Sequence, residues 1–75
     1  MYKVYGKNWC VYCDRAKRLL EEKKLPFEYY NIEADIDAYD YAMANSNGQK
    51  SVPIIFHEGA LVGGFDNLRD HLKTL

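Results

Sequence analysis

Apolar positions alternate with polar ones at the start of the chain, then recur every three or four residues, then alternate again. Tyr2-Lys3-Val4-Tyr5 has the two-residue period of a short strand, closed by Gly6 and the polar pair Lys7-Asn8. From Val11 the period becomes helical. Cys13, Ala16 and Leu20 share one face, Leu19 lies beside them, and charged residues occupy the other side. That helix must stop before Pro26, whose ring disfavours helical geometry at Leu25. Phe27-Glu28-Tyr29-Tyr30-Asn31-Ile32 is aromatic and β-branched enough for a second strand. Asp35 is placed to cap a second helix with Ile36, Tyr39 and Met43 at helical spacing, and Asn45-Ser46-Asn47-Gly48 ends it. Pro53-Ile54-Ile55-Phe56 reads as a buried strand, and His57-Glu58-Gly59 as a turn into a short strand at Leu61-Val62. Gly63-Gly64 breaks that strand. Phe65, Leu68, Leu72 and Leu75 then form the apolar stripe of a terminal helix, with Lys73 near its negative end.

The order is β-α-β-α-β-β-α. Two strands flanking a helix pair in parallel through a right-handed crossover, and two strands joined by a tight turn pair antiparallel. The expected α/β architecture is a four-stranded mixed sheet flanked by three helices, and it resembles a minimal thioredoxin fold. A chain of 75 residues makes one small domain, residues 1–75. Its 48% apolar residues and seven tyrosines must supply the core. Two cysteines three positions apart close too small a loop to staple distant elements.

Composition removes whole classes of function. A net charge of −1 leaves no electrostatic footprint for nucleic acid or an acidic membrane. The local run Arg15-Ala16-Lys17-Arg18 reads as the solvated face of a helix. No stretch reaches the ~20 apolar residues of a membrane span, and Met1-Tyr2-Lys3 opens directly into structure. The expectation is a soluble, monomeric, cytoplasmic protein in a reducing compartment, where an exposed thiol pair stays available for chemistry.

That pair is Cys10-Val11-Tyr12-Cys13, just after a strand and at the start of a helix. Unpaired first-turn N–H groups and the positive end of the dipole stabilise a thiolate on the first cysteine. Cys13 shares the inward stripe and is sheltered, whereas Cys10 lies at or before the N-cap and projects outward. An exposed thiolate with a sheltered partner suits attack on a disulfide followed by resolution from the second sulfur. Lys7 adds a nearby positive charge, and Asp14 serves the dipole. A CxxC can also be half of a zinc site, but the remaining ligand candidates, His57 and His71, lack the close spacing of compact zinc sites. His57 reads as a solvated loop histidine and His71 as a surface helix residue.

Several separated segments together resemble the glutaredoxins over nearly the whole chain. They are Lys7 three before the first cysteine, Cys10-Val11-Tyr12-Cys13, Gly48 followed by Ser51-Val52-Pro53, and Gly63-Gly64-Phe65-Asp66. The wording of Val4-Tyr5-Gly6, of Cys10 to Leu20 and of Gly63 to Arg69 is most similar to bacteriophage glutaredoxins.

The resemblance implies a dithiol thiol–disulfide oxidoreductase with glutathione as co-substrate and no metal. Cys10 and Cys13 would be catalytic. Pro53 would be cis and face the cysteines, turning the Val52 backbone toward a substrate, with Ser51 on the same loop. Gly64, Phe65 and Asp66 would open the last helix against the γ-glutamyl carboxylate, as helix N-termini hold anions. Asp66 would accept from the ligand's amine, Lys7 and Lys50 would face the glycyl carboxylate, and Tyr12 would line the groove. Disulfide-containing proteins would be the clients, ribonucleotide reductase among them.

Three departures keep other readings open. Val11 stands where many glutaredoxins have proline. Trp9 precedes Cys10 as in thioredoxins and points to a protein-facing surface. Asp40 falls where a glutamine or arginine contacting the glycyl carboxylate is expected. A thioredoxin-like protein reduced by thioredoxin reductase is one alternative. A carrier whose two protomers bridge an iron–sulfur cluster through Cys10 and two glutathiones is another.

Overall fold

A computed structural model describes residues 1–74; the expected place of Leu75 in the terminal stripe lies outside them. The elements run β1 (Tyr2–Gly6), α1 (Val11–Glu22), β2 (Phe27–Asn31), α2 (Ile36–Asn45), β3 (Ile54–His57), β4 (Ala60–Gly63) and α3 (Phe65–Lys73). The sheet order is β2-β1-β3-β4. β1 pairs parallel with β2, Val4 opposite Tyr29, and antiparallel with β3, Val4 opposite Ile55. β4 closes the edge antiparallel to β3, with an irregularity between Ile55 and Phe56. The expected mixed sheet with three helices is therefore the fold.

Central β1 is covered on both faces. Tyr2 and Val4 face α1 and α3, packing with Ala16, Leu20, Ile55, Leu68 and Leu72. Tyr5 faces α2 and packs with Ala38, Ala42, Ile54 and Phe56. Fully burying one leucine such as Leu20 contributes roughly 1.5–3 kcal/mol, so these two thin layers carry much of the stability. At the end of α1, Lys24 takes a left-handed conformation (φ 57°), and Leu25 N–H donates to Leu20 O at 3.0 Å. The helix therefore ends ahead of Pro26.

Three expectations need correction. Of the Ile36, Tyr39 and Met43 stripe of α2, Met43 packs against the core, but Ile36 is 69% and Tyr39 43% exposed, and the buried residues are Ala38 and Ala42. Small side chains let α2 sit close to a face already filled by aromatic rings, where Tyr5 stacks with Tyr30 at 4.9 Å and Tyr41 at 5.5 Å. Gly6 is the last residue of β1, as expected, but His57 is the last residue of β3, not part of the turn. Both histidines are half-buried. The antiparallel register sets His57 beside Tyr2, with rings stacked at 4.1 Å, and His71 Nε2 lies 3.0 Å from Tyr2 Oη.

Candidate active site

The β1–α1 junction builds the thiol pair. Trp9 is held at φ 59° and is fully exposed, and the chain then extends at Cys10, the N-cap of α1. Cys10 Sγ accepts the backbone N–H of Cys13 at 3.2 Å, so the thiol itself caps the helix. The same sulfur lies 3.9 Å from Val52 O, across a cis Val52–Pro53 peptide bond. Both cysteines are free thiols, Cys10 partly exposed and Cys13 buried. Burial, reinforced by the hydrogen bond with Cys10, pushes the Cys13 thiol up to about 12, while the Lys7 backbone N–H pulls the other way.

Gly6 makes room for this arrangement. A Cβ there would sit 2.7 Å from Cys13 Sγ and 2.7 Å from Tyr29 Oη, closer than either allows. Tyr29 Oη donates to Lys7 O at 3.2 Å, tying β2 to the loop that leads into the cysteines.

Beside the cysteine pair runs a groove of about 490 Å³, lined by Tyr12, Gln49, Ser51, Val52, Pro53, Gly64, Phe65, Asp66 and Asn67. That is within the range of small-molecule sites. One wall is the Ser51–Pro53 loop. Gln49 clamps it, donating through Nε2 to Ser51 O at 2.8 Å and Pro53 O at 2.9 Å. The other wall is the first turn of α3, whose leading N–H groups have no partner within the helix. Gly64 caps it, its N–H donating to Asn67 Oδ1 at 3.0 Å. Gly63 precedes it at φ 120°, where a Cβ would come within 2.5 Å of that same oxygen.

The glutaredoxin family model matches residues 3–62. The chain is 39% identical to the glutaredoxin of enterobacteria phage T4 over 87 aligned positions, covering 97% of this chain and all of that one. It is 36% identical to glutaredoxin 3 of Escherichia coli, covering 88% of this chain and 78% of that one. The chain belongs to the glutaredoxin family. Among solved structures, a buckwheat glutaredoxin–glutathione complex matches with a TM-score of 0.83 and 27% identity, over 97% of this chain and 68% of that one. Like its relatives, this glutaredoxin is a thiol–disulfide oxidoreductase.

The groove of this glutaredoxin gathers Tyr12, Ser51, Val52, Pro53, Gly64, Phe65 and Asp66 from three separate stretches of sequence. Tyr12 and Phe65 meet across it with ring centroids 6.0 Å apart. Lys7 and Lys50 are exposed and are not among the lining residues. Asp66 is largely exposed and already pairs with Arg69 at 3.4 Å. Asp40 is exposed on α2 and does not line the groove.

Sequence reasoning passed over Gln49, Asn67 and Tyr29. Asn67 carried a signal, because it stands three residues after a helix-breaking glycine, where a side chain reaches back to the cap. Gln49 and Tyr29 carried none, since their partners are backbone atoms on other elements or across a loop. Among the described residues, no three His, Cys, Asp or Glu side chains converge as metal ligands. The two histidines pack around Tyr2, and the two cysteines pair at the start of α1.

Proposed function

We propose that this glutaredoxin carries electrons from glutathione to protein disulfides through Cys10 and Cys13. The observation that carries the reading is the position of Cys10 Sγ, at the N-terminus of α1 and 3.9 Å from the Val52 carbonyl that borders the groove. The Cys10 thiolate attacks one sulfur of a client disulfide, and the client's other sulfur leaves as a thiolate. Cys13, deprotonated, then attacks Cys10 Sγ, releasing the second client sulfur and closing the Cys10–Cys13 disulfide. Two electrons have passed to the client. Two glutathione molecules restore the pair in two exchanges and leave as oxidised glutathione.

The groove suits the glutathione half of this cycle. Gly64, Phe65 and Asp66 bring helix N–H groups and a carboxylate to one end, fitted to the carboxylate and amine of the γ-glutamyl residue. The Val52 backbone offers a strand-like partner beside the sulfur, and Tyr12 with Phe65 flanks it. Lys7 and Lys50, exposed and outside the groove's lining, supply positive charge for the glycyl carboxylate. The match to a buckwheat glutaredoxin bound to glutathione supports the same assignment.

The clients are proteins whose disulfides form in the cytoplasm, ribonucleotide reductase among them, because that enzyme ends each turnover with an oxidised cysteine pair. A second reading has one observation in its favour: Trp9, fully exposed beside Cys10, suits a protein surface better than a tripeptide. It describes a thioredoxin-like protein reduced by thioredoxin reductase. The test is to oxidise the protein and supply either glutathione or thioredoxin reductase with NADPH. Rapid reduction by glutathione supports the proposal; reduction by the flavoprotein alone replaces it with the second reading.

A further inference from the structure

We infer that Tyr29 is a positioning residue for the second chemical step, its hydroxyl donating to the Cys13 thiolate as that sulfur attacks Cys10. The inference rests on the reading of Cys13 as the resolving cysteine.

Resolution requires a negative charge on a sulfur with no solvent contact. Cys13 is 0% exposed, and burial is the largest cause that raises its thiol above the ordinary value. A thiolate there needs donors from the protein, and the Lys7 backbone N–H is one. A second polar hydrogen at hand is that of Tyr29. Its Oη and Cys13 Sγ both lie within 2.7 Å of the point where a Gly6 Cβ would be. The absence of that Cβ brings the phenol and the buried sulfur together.

In the reduced protein the hydroxyl donates to Lys7 O at 3.2 Å. Rotation about its C–O bond turns the same proton to Sγ, because the thiolate is the better acceptor. Tyr29 also keeps that proton when the thiolate forms. Burial first, and then negative charge on Cys13, Cys10 and Asp14, push the phenol up to about 12. Lys17 Nζ lies 4.1 Å from the Tyr29 ring centroid, which leaves a positive charge on the outer side of the phenol. Lys17 is also paired with Asp14 at 3.7 Å; Cys10, bonded to the client at this step, carries no charge.

The step is a thiolate–disulfide exchange. The Cys13 sulfur bonds Cys10 Sγ, the bond from Cys10 Sγ to the client breaks, and in net terms the proton that Cys13 loses is the one the client gains. The client leaves as a thiolate and takes up a proton. Tyr29 is neither oxidised nor deprotonated; it lowers the cost of the thiolate before the bond forms.

The experiment follows one turnover by stopped-flow and acid quench, with a glutathionylated peptide as substrate, in the wild type and in Tyr29→Phe. The expected result is normal formation of the Cys10 mixed disulfide, with its conversion to the Cys10–Cys13 disulfide slowed about tenfold, the size of one charge-assisted hydrogen bond. The rate–pH profile of that conversion should move to higher pH, which a merely structural loss would not produce. Site-specific replacement of Tyr29 by 3-fluorotyrosine, a stronger donor of nearly equal volume, should accelerate the same step and keeps the test open if the phenylalanine variant does not fold. Resolution at the wild-type rate, with an unmoved profile, overturns the assignment of Tyr29. Absence of any Cys10 mixed disulfide in the wild type overturns the assignment together with the reading it rests on.

Discussion

The backbone N–H of Cys13 donates to Cys10 Sγ at 3.2 Å, so one cysteine caps the helix that buries the other. The two sulfurs thereby receive opposite environments from a single turn of chain. Cys10 accepts a helix N–H and lies 3.9 Å from the Val52 carbonyl beside the groove; Cys13 is enclosed and held as a neutral thiol.

The first prediction concerns pH. Burial, the largest cause that raises the Cys13 thiol, persists when Cys10 is in a mixed disulfide, so attack by Cys13 should accelerate with rising pH through pH 9, without a plateau near neutrality. A rapid-quench pH series on the isolated mixed disulfide measures this, and a plateau at pH 7–8 contradicts it. The same shift predicts an effect on stability. Between an ordinary thiol value of 9.0 and the folded value near 12, the folded state binds more protons than the unfolded one, so stability falls as pH rises across that window. Denaturant midpoints of Cys13→Ser should fall less steeply there than those of the wild type.

Gly6→Ala tests the close approach at the floor of the site. A methyl group 2.7 Å from both Cys13 Sγ and Tyr29 Oη forces a shift of β1 or β2. The expected cost is ~1–3 kcal/mol, as for overpacked core positions, read from urea unfolding. An unchanged midpoint would show that the sulfur and the phenol do not meet there.

How much of this was legible beforehand depends on which contacts are local. The α1 stripe of Cys13, Ala16 and Leu20, the Asp35 cap, whose carboxylate accepts from Asp37 and Ala38 N–H groups, and the stop before Pro26 are set within a few residues, and periodicity displays them. The environments of His57 and His71 come from Tyr2, more than fifty residues away in the chain, and no local pattern encodes that register. α2 misled for a different reason: its buried residues are alanines, and two of the three larger residues that carried the hydrophobic period, Ile36 and Tyr39, are exposed. At the site, the cysteines and the groove walls stood out as motifs. The Gln49 clamp and the Tyr29 hydroxyl did not, because a side chain bonded to backbone carbonyls leaves no spacing to read.

Gln49→Ala removes both hydrogen bonds that hold the Ser51–Pro53 loop. Each contributes about 0.5–1.5 kcal/mol, so the glutathione concentration for half-maximal turnover should rise by about tenfold as the wall loosens. Steady-state kinetics over a glutathione series checks this, and an unchanged requirement means the loop holds its shape without the clamp.

Asp66→Ala should weaken glutathione use by less. The carboxylate is 76% exposed and already shares its charge with Arg69 at 3.4 Å, so the loss is on the scale of an exposed ion pair, at most about 1 kcal/mol or roughly fivefold. A change of a hundredfold would mean that bound glutathione seals the groove from water.

The central claim is that Cys10 makes the covalent bond and Cys13 only resolves it. Intact-protein mass spectrometry after exposure of each single mutant to a glutathionylated peptide, with turnover measured in parallel, tests it most directly. Cys13→Ser should carry one glutathione on Cys10 and retain turnover, because free glutathione can resolve the adduct, while Cys10→Ser should carry none and be inactive. Turnover by Cys10→Ser, or no adduct on Cys13→Ser, would contradict the account.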